Sequence, residues 1–208
     1  MQRIRLIYSK GEELRYTGNL DMQKVWERTF RRANLHLAYS QGFHPQPRIH
    51  QACPLPLGFT SSGEILDFWL DFDETIPQIQ EKLEKALQPG ISIKEYQSIP
   101  LDSKPLQTLV ISAAYDIQIE EDALPVDFRE RIERLMQSPQ CMRERRGKKY
   151  DLLPLIESLQ VIQSDQAILH IVLTARPAAT GRPEEVLDAL GIPLQDTVIS
   201  RTALILST

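Results

Sequence analysis

Hydrophobic periodicity along this 208-residue chain alternates between two and three-to-four, in an order that occurs twice. Residues 3–8 (RIRLIY) alternate polar and apolar and predict a strand. Met22, Val25, Trp26, Thr29, Phe30 and Ala33 recur at helical spacing and predict a helix ending near Asn34. Asn19 is its expected N-cap, and Asp21 sits in the first turn, where the helix dipole favours negative charge. Residues 48–55, ended early by Pro54, and residues 64–72 (EILDFWLDF) predict two more strands. Thr75 caps a second helix to Leu87, Pro89-Gly90 stops it, and residues 91–99 form a fourth strand. The order is βαββαβ.

Residues 100–105, with two prolines, predict a linker, after which the pattern returns. Strands are expected at 109–119, 141–145, 167–175 and 197–206. Helices are expected at 126–136, with Phe128, Ile132, Leu135 and Met136 on one face, and from Pro183 to Leu190, closed by Gly191. Residues 146–163 read as an insertion, because Pro154 forbids one smooth strand and DLLPLIESL fits a short helical turn. Two βαββαβ series make an α+β protein of two tandem ferredoxin-like domains, at 1–100 and 106–208, each an antiparallel sheet with helices on one face.

Charge is segregated. The net charge of −4 gives no global case for nucleic acid, yet residues 1–50 carry +5, residues 51–125 carry −9, and the remainder balances. Separate basic and acidic surfaces point to an oriented partner, or simply to solvated faces. Cys53 and Cys141 are too few for a disulfide framework and read as ordinary thiols of a reducing compartment. No signal-peptide pattern opens the chain and no apolar run approaches membrane-spanning length. The expectation is a soluble cytoplasmic protein with no membrane contact.

Site chemistry concentrates in residues 16–57. Lys24, Arg28, Arg31 and Arg32 fall along one side of the first helix and could hold phosphates. The loop that follows is stiffened by Pro45 and Pro47, and Gly42 is expected at a backbone angle forbidden to side chains. It would bring His44, Gln46 and Arg48 to the helix's cations as one concave polar surface. Tyr39 and Phe43 could stack on unpaired bases or plug the core. Arg143, Arg145, Arg146, Lys148 and Lys149 form a second basic run, RERRGKK, common both in nucleic-acid binders and in solvated loops.

Catalytic signals are weak. His36, His44, His50 and Cys53 match no zinc spacing, so no metal and no cofactor is expected. Glu64 and Asp67 alternate to opposite faces while Asp67 and Asp71 share one, and a carboxylate pairing with an arginine of the first helix or with Arg48 is expected. No nucleophile with a base, no P-loop and no GxGxxG motif appears.

Residues 14–49 and 55–70, and more weakly RRGKKYDLLPLI at 145–156, resemble a bacterial family of radical-SAM-linked proteins. The likeness lies in the ordered string from Gly42 to Arg48, then Leu55-Pro56-Leu57-Gly58 and Glu64 with Asp67. It implies a small protein beside, or fused to, a cobalamin-type radical SAM enzyme. The family pattern has a Ser-His pair ahead of Leu-Asp where this chain has Gly18-Asn19, so any chemical task of that histidine is missing here. Two distant cysteines cannot supply the cysteine triad of a radical SAM cluster, so the chain is not that enzyme. Tandem ferredoxin-like domains with a basic face also resemble the RNA-processing endonucleases of CRISPR systems, by architecture alone. The expected function is a non-catalytic accessory module that binds a tRNA or rRNA element for a radical SAM partner. The alternatives are a protein–protein adaptor and a metal-independent ribonuclease using His36 or His44 as general base.

Overall fold

The computed structural model describes residues 1–163 and 168–207, which divide into two units, Met1–Val110 and Ile111–Ser207. The first contains β1 (Gln2–Lys10), α1 (Asn19–Arg32), β2 (Ile49–Gln51), β3 (Thr60–Leu70), α2 (Ile76–Glu84), β4 (Ile91–Ile99) and one helical turn, α3 (Leu106–Leu109). β1 pairs antiparallel with β3 and β4, and β2 pairs antiparallel with β3, giving the order β4-β1-β3-β2. This is the strand order of a ferredoxin-like unit, in which each βαβ crossover skips one strand.

Alternation decides which side chains meet the helices. Ile4, Leu6 and Tyr8 of β1 and Leu66, Phe68 and Leu70 of β3 join Met22, Trp26 and Phe30 of α1 in one buried core. Within it Tyr8 meets Trp26 edge-on at 4.8 Å, Trp26 stacks on Phe30 at 5.5 Å and Phe30 on Phe68 at 4.5 Å. α1 starts one residue earlier than the sequence implies. Gly18, extended, is its N-cap, since its carbonyl accepts the first helical bond from Met22 N–H, and Asn19 is the first helical residue. α2 begins as expected, Thr75 N–H donating to Gln78 Oε1 at 3.0 Å.

The second unit contains β5 (Val110–Ile119), α4 (Phe128–Gln137), β6 (Met142–Arg145), β7 (Lys148–Asp151), β8 (Ile156–Gln163), β9 (Ile168–Arg176), β10 (Ala179–Thr180), α5 (Pro183–Leu190) and β11 (Thr197–Leu206). Its strands run β8-β9-β5-β11, again the ferredoxin-like order, with β10 on the end of β9. Ala167, expected to open the strand that became β9, and the terminal Thr208 lie outside the described residues. Leu169, Ile171 and Leu173 of β9 and Ala113 and Ile117 of β5 are fully buried on one face.

Residues 141–145 are not the second strand of this unit. They form β6, half of a separate two-stranded hairpin with β7. Arg146 (φ 52°) and Gly147 (φ 75°) are both left-handed, the signature of a two-residue turn whose twist suits a hairpin. The second strand is β8, which follows the 3₁₀ turn Leu153–Leu155 around Pro154. Among the described residues no helix is long and apolar enough to cross a membrane.

Candidate nucleic-acid interface

The site begins where α1 ends. Asn34 takes a left-handed conformation (φ 53°), Leu35 N–H bonds back to Phe30 O and Asn34 N–H to Arg31 O, a Schellman closure with Asn in the usual glycine position. The chain is thereby reversed, Leu35 and Leu37 enter the core, and the exposed His36 meets Phe72 edge-on at 5.8 Å. Between this segment and α1 lies a groove of about 700 Å³. Lys24, Arg28 and Arg31 of α1 line it together with His36, Tyr39 and Phe72.

All three cations are exposed. Glu27 and Asp71 also border the groove, leaving its lining at a net +1 with His36 neutral. Asp71 follows the end of β3 at Leu70, its N–H bonds to His36 O, and it borders this groove, whereas Asp67 is fully buried.

Arg32 is not part of the groove. It lies about 80° round the helix from Lys24, and its Nε and Nη2 donate to Ala86 O at 3.2 and 2.8 Å, capping the carbonyl end of α2. Arg32→Ala is expected to lower stability by about 1 kcal/mol, measured by denaturant midpoint.

The loop after Tyr39 is built as a projecting finger. Tyr39 and Pro47 bridge its base, Ser40 N–H donates to Gln46 O at 2.8 Å and Gln46 N–H to Ser40 Oγ at 2.9 Å. Gly42 has the positive φ (128°) its position calls for, and Phe43 at the tip is 101% exposed, so it plugs no core. His44 is exposed beside it.

Arg48 stands elsewhere. Its guanidinium lies 4.4 Å over the Trp69 ring, and Trp69 alternates with Phe68 and Leu70 to the sheet face away from α1. The concave surface joining Arg48 to the helix's cations is therefore not formed. On that opposite face Asp67, wholly buried, receives Arg3 Nε and Nη2 and Arg5 Nε and Nη2 at 2.6–3.1 Å. The carboxylate's partners come from β1, in register across the sheet, and neither from α1 nor from Arg48. Arg3 also donates to Ser103 O and Lys104 O, tying the linker down. Glu64, on the core side of β3, is buried as well.

His50 stacks edge-on against Trp69 at 4.9 Å, and partial burial, then the nearby Arg48 charge, lower its pKa from 6.5. The folded chain holds that proton less tightly than the unfolded one, so the stability this neutral ring contributes is present above pH 6.5 and lost as pH falls through the folded value. An NMR titration should place His50 below 6.5, and Arg48→Ala should move it upward.

The second basic run divides in two. Arg145 pairs with Glu185 at 2.6 Å, donates to Thr180 O and lies over Tyr150, and Arg143 pairs with Asp188 at 3.2 Å. These two pin the hairpin to α5. Arg146, Lys148 and Lys149 point to solvent. Phe72, the end of the alternating run 64–72, and His36, a candidate metal ligand or general base, line the groove, a placement that no local pattern signals. His170 Nδ1 lies 2.6 Å from Asp116 Oδ1 across β9 and β5, a pairing with no signal in the local sequence.

Residues 3–183 match the family described as "Uncharacterized protein conserved in bacteria (DUF2344)". The chain belongs to the DUF2344 family. No curated protein matches it. Among solved structures, a chain of a Cbf5-Nop10-Gar1 complex is similar over the whole of this DUF2344 chain at 9% identity and a TM-score of 0.45, this chain spanning 48% of that one. The small subunit of acetolactate synthase from Thermotoga maritima is similar at 14% identity and a TM-score of 0.28, covering 100% of this chain and 96% of that one. A putative glycine cleavage system transcriptional repressor is similar at 14% identity and a TM-score of 0.26, covering 99% and 98%. The ferredoxin-like assignment of the DUF2344 units rests on their own strand order.

Proposed function

We propose that this DUF2344 protein is a non-catalytic accessory module that holds an RNA element, from a tRNA or an rRNA, in the groove beside α1. The observation that carries this reading is the row of Lys24, Arg28 and Arg31, exposed and making no ion pair among the described residues, in one groove with Tyr39 and Phe72. Unpaired cations on consecutive helical turns suit successive phosphates, and flanking aromatic rings suit bases. Arg146, Lys148 and Lys149 of the hairpin supply a second phosphate contact in the other unit. The presentation of that RNA to a radical SAM modification enzyme follows from the family resemblance of residues 14–49 and 55–70. Cys53 and Cys141 lie one in each unit, so the cluster chemistry belongs to the partner.

The test is a titration of the purified chain with total small RNA at several salt concentrations. Retention that falls steeply with salt, with the RNA recovered uncut, supports the module. Absence of salt-sensitive retention overturns RNA binding and favours a protein adaptor. Discrete cleavage products lost in His36→Ala or His44→Ala overturn the non-catalytic role in favour of a ribonuclease.

A further inference from the structure

A phenylalanine wholly in water forgoes the stabilisation its burial would bring. Single exposed apolar residues are ordinary, so exposure alone says little about Phe43. Its setting says more. The finger that carries it is closed at its base by the Tyr39–Pro47 bridge, cross-tied by the two Ser40–Gln46 hydrogen bonds, turned by Gly42 at φ 128° and stiffened by Pro45 and Pro47. The ring is thus held out from the surface with little conformational freedom left to lose on contact. Its neighbours Gln41, His44 and Gln46 are exposed and polar, and no Lys, Arg, Asp or Glu lies between Tyr39 and Pro47.

Charge and aromatic surface are therefore separated along one path. Tyr39, 54% exposed, stands both at the base of the finger and in the wall of the cationic groove. Phe43 is four residues further on, within about 14 Å of it along the chain. The groove meets phosphates, and beyond it two exposed rings, Tyr39 and Phe43, offer flat apolar faces. A base inside a duplex already has both faces covered, and only an unpaired or splayed base can use such a ring. We infer that the finger is a base-stacking wedge, with Phe43 as its principal ring, that makes the groove select RNA with unpaired nucleotides, such as a loop or a single-stranded end, over duplex RNA. This rests on the groove's RNA-binding role and adds the class of RNA to it.

The experiment compares a single-stranded oligoribonucleotide with the same strand annealed to its complement, on the full chain. The wild type is expected to prefer the single strand. Phe43→Ala, at a fully exposed position, should fold normally and lose about fivefold to a hundredfold in single-strand affinity, with duplex affinity unchanged. Phe43→Trp should keep the affinity. Because Trp26 and Trp69 are 0% and 5% exposed, the new indole dominates any change in fluorescence and should be quenched by the single strand only. Equal binding of both forms by wild type and Phe43→Ala overturns the wedge and leaves the phosphate groove standing. Full single-strand affinity in Phe43→Leu also overturns it, because an aliphatic side chain has no π face on which a base could stack. If the wild type binds neither form, the groove's RNA role fails and the wedge with it.

Discussion

Asp67→Ala is expected to destabilise the first unit by about 3–5 kcal/mol, a large part of an ordinary domain's stability. The carboxylate is 0% exposed and accepts from both Arg3 and Arg5, themselves 2% and 9% exposed. Removing it leaves two guanidiniums facing each other across adjacent positions of one strand face, with no anion between them and little access to water. Asp67→Asn should cost less than Asp67→Ala, because the amide keeps a carbonyl acceptor and the side chain's volume, yet more than any surface substitution. Replacing all three residues by apolar ones of similar size should recover much of the loss, since the penalty lies in unpaired charge rather than in missing attraction. Denaturant midpoints of the three variants check the order. An Asp67→Ala midpoint within 1 kcal/mol of wild type would show that the arginines find other partners.

Lys24→Glu with Arg28→Glu and Arg31→Glu is expected to abolish RNA binding while leaving the fold intact. Three phosphate contacts give a salt slope of about −2 for a single strand, which is about a 20-fold loss of wild-type affinity between 50 and 200 mM salt. The hairpin cations Arg146, Lys148 and Lys149 would steepen that slope if they engage the same RNA. Reversing three charges turns the attractive groove repulsive, so the residual affinity and its salt slope both fall. Because the three side chains are exposed and make no ion pair among the described residues, the melting temperature should move little, each surface change costing within about 0.5 kcal/mol. Wild-type affinity in the triple variant would take RNA out of this groove.

Element type and order were legible in the sequence because each element repeats its pattern locally. The three-and-four spacing of Met22, Trp26 and Phe30 marks the buried stripe of α1, and Pro183 with Gly191 brackets α5. The first basic cluster was also legible as a helical stripe. Its membership was not, since Arg32 is removed from it by Ala86, a residue 54 positions away at the end of another helix. The hairpin at 142–151 is not legible in the sequence, because a short strand has the same pattern whether it joins the main sheet or pairs only with its neighbour. The left-handed Arg146–Gly147 turn, which a glycine-containing dipeptide permits but does not require, settles that choice.

By itself the sequence determined the first βαββαβ series, the second apart from its second strand, the cationic helix face and a stiff loop that spends its composition on shape. Those properties follow from neighbours within one turn or one strand, where periodicity and φ restrictions act directly. Tertiary structure alone decided which charges are free. Arg3, Arg5, Arg143 and Arg145 are consumed by carboxylates on other elements, Arg48 is stacked on Trp69, and Lys24, Arg28 and Arg31 line a groove with Tyr39 and make no ion pair among the described residues. The reason is that a charge's availability depends on what lies within a few ångströms of it in space, and that distance is set by sheet register and helix packing rather than by position along the chain.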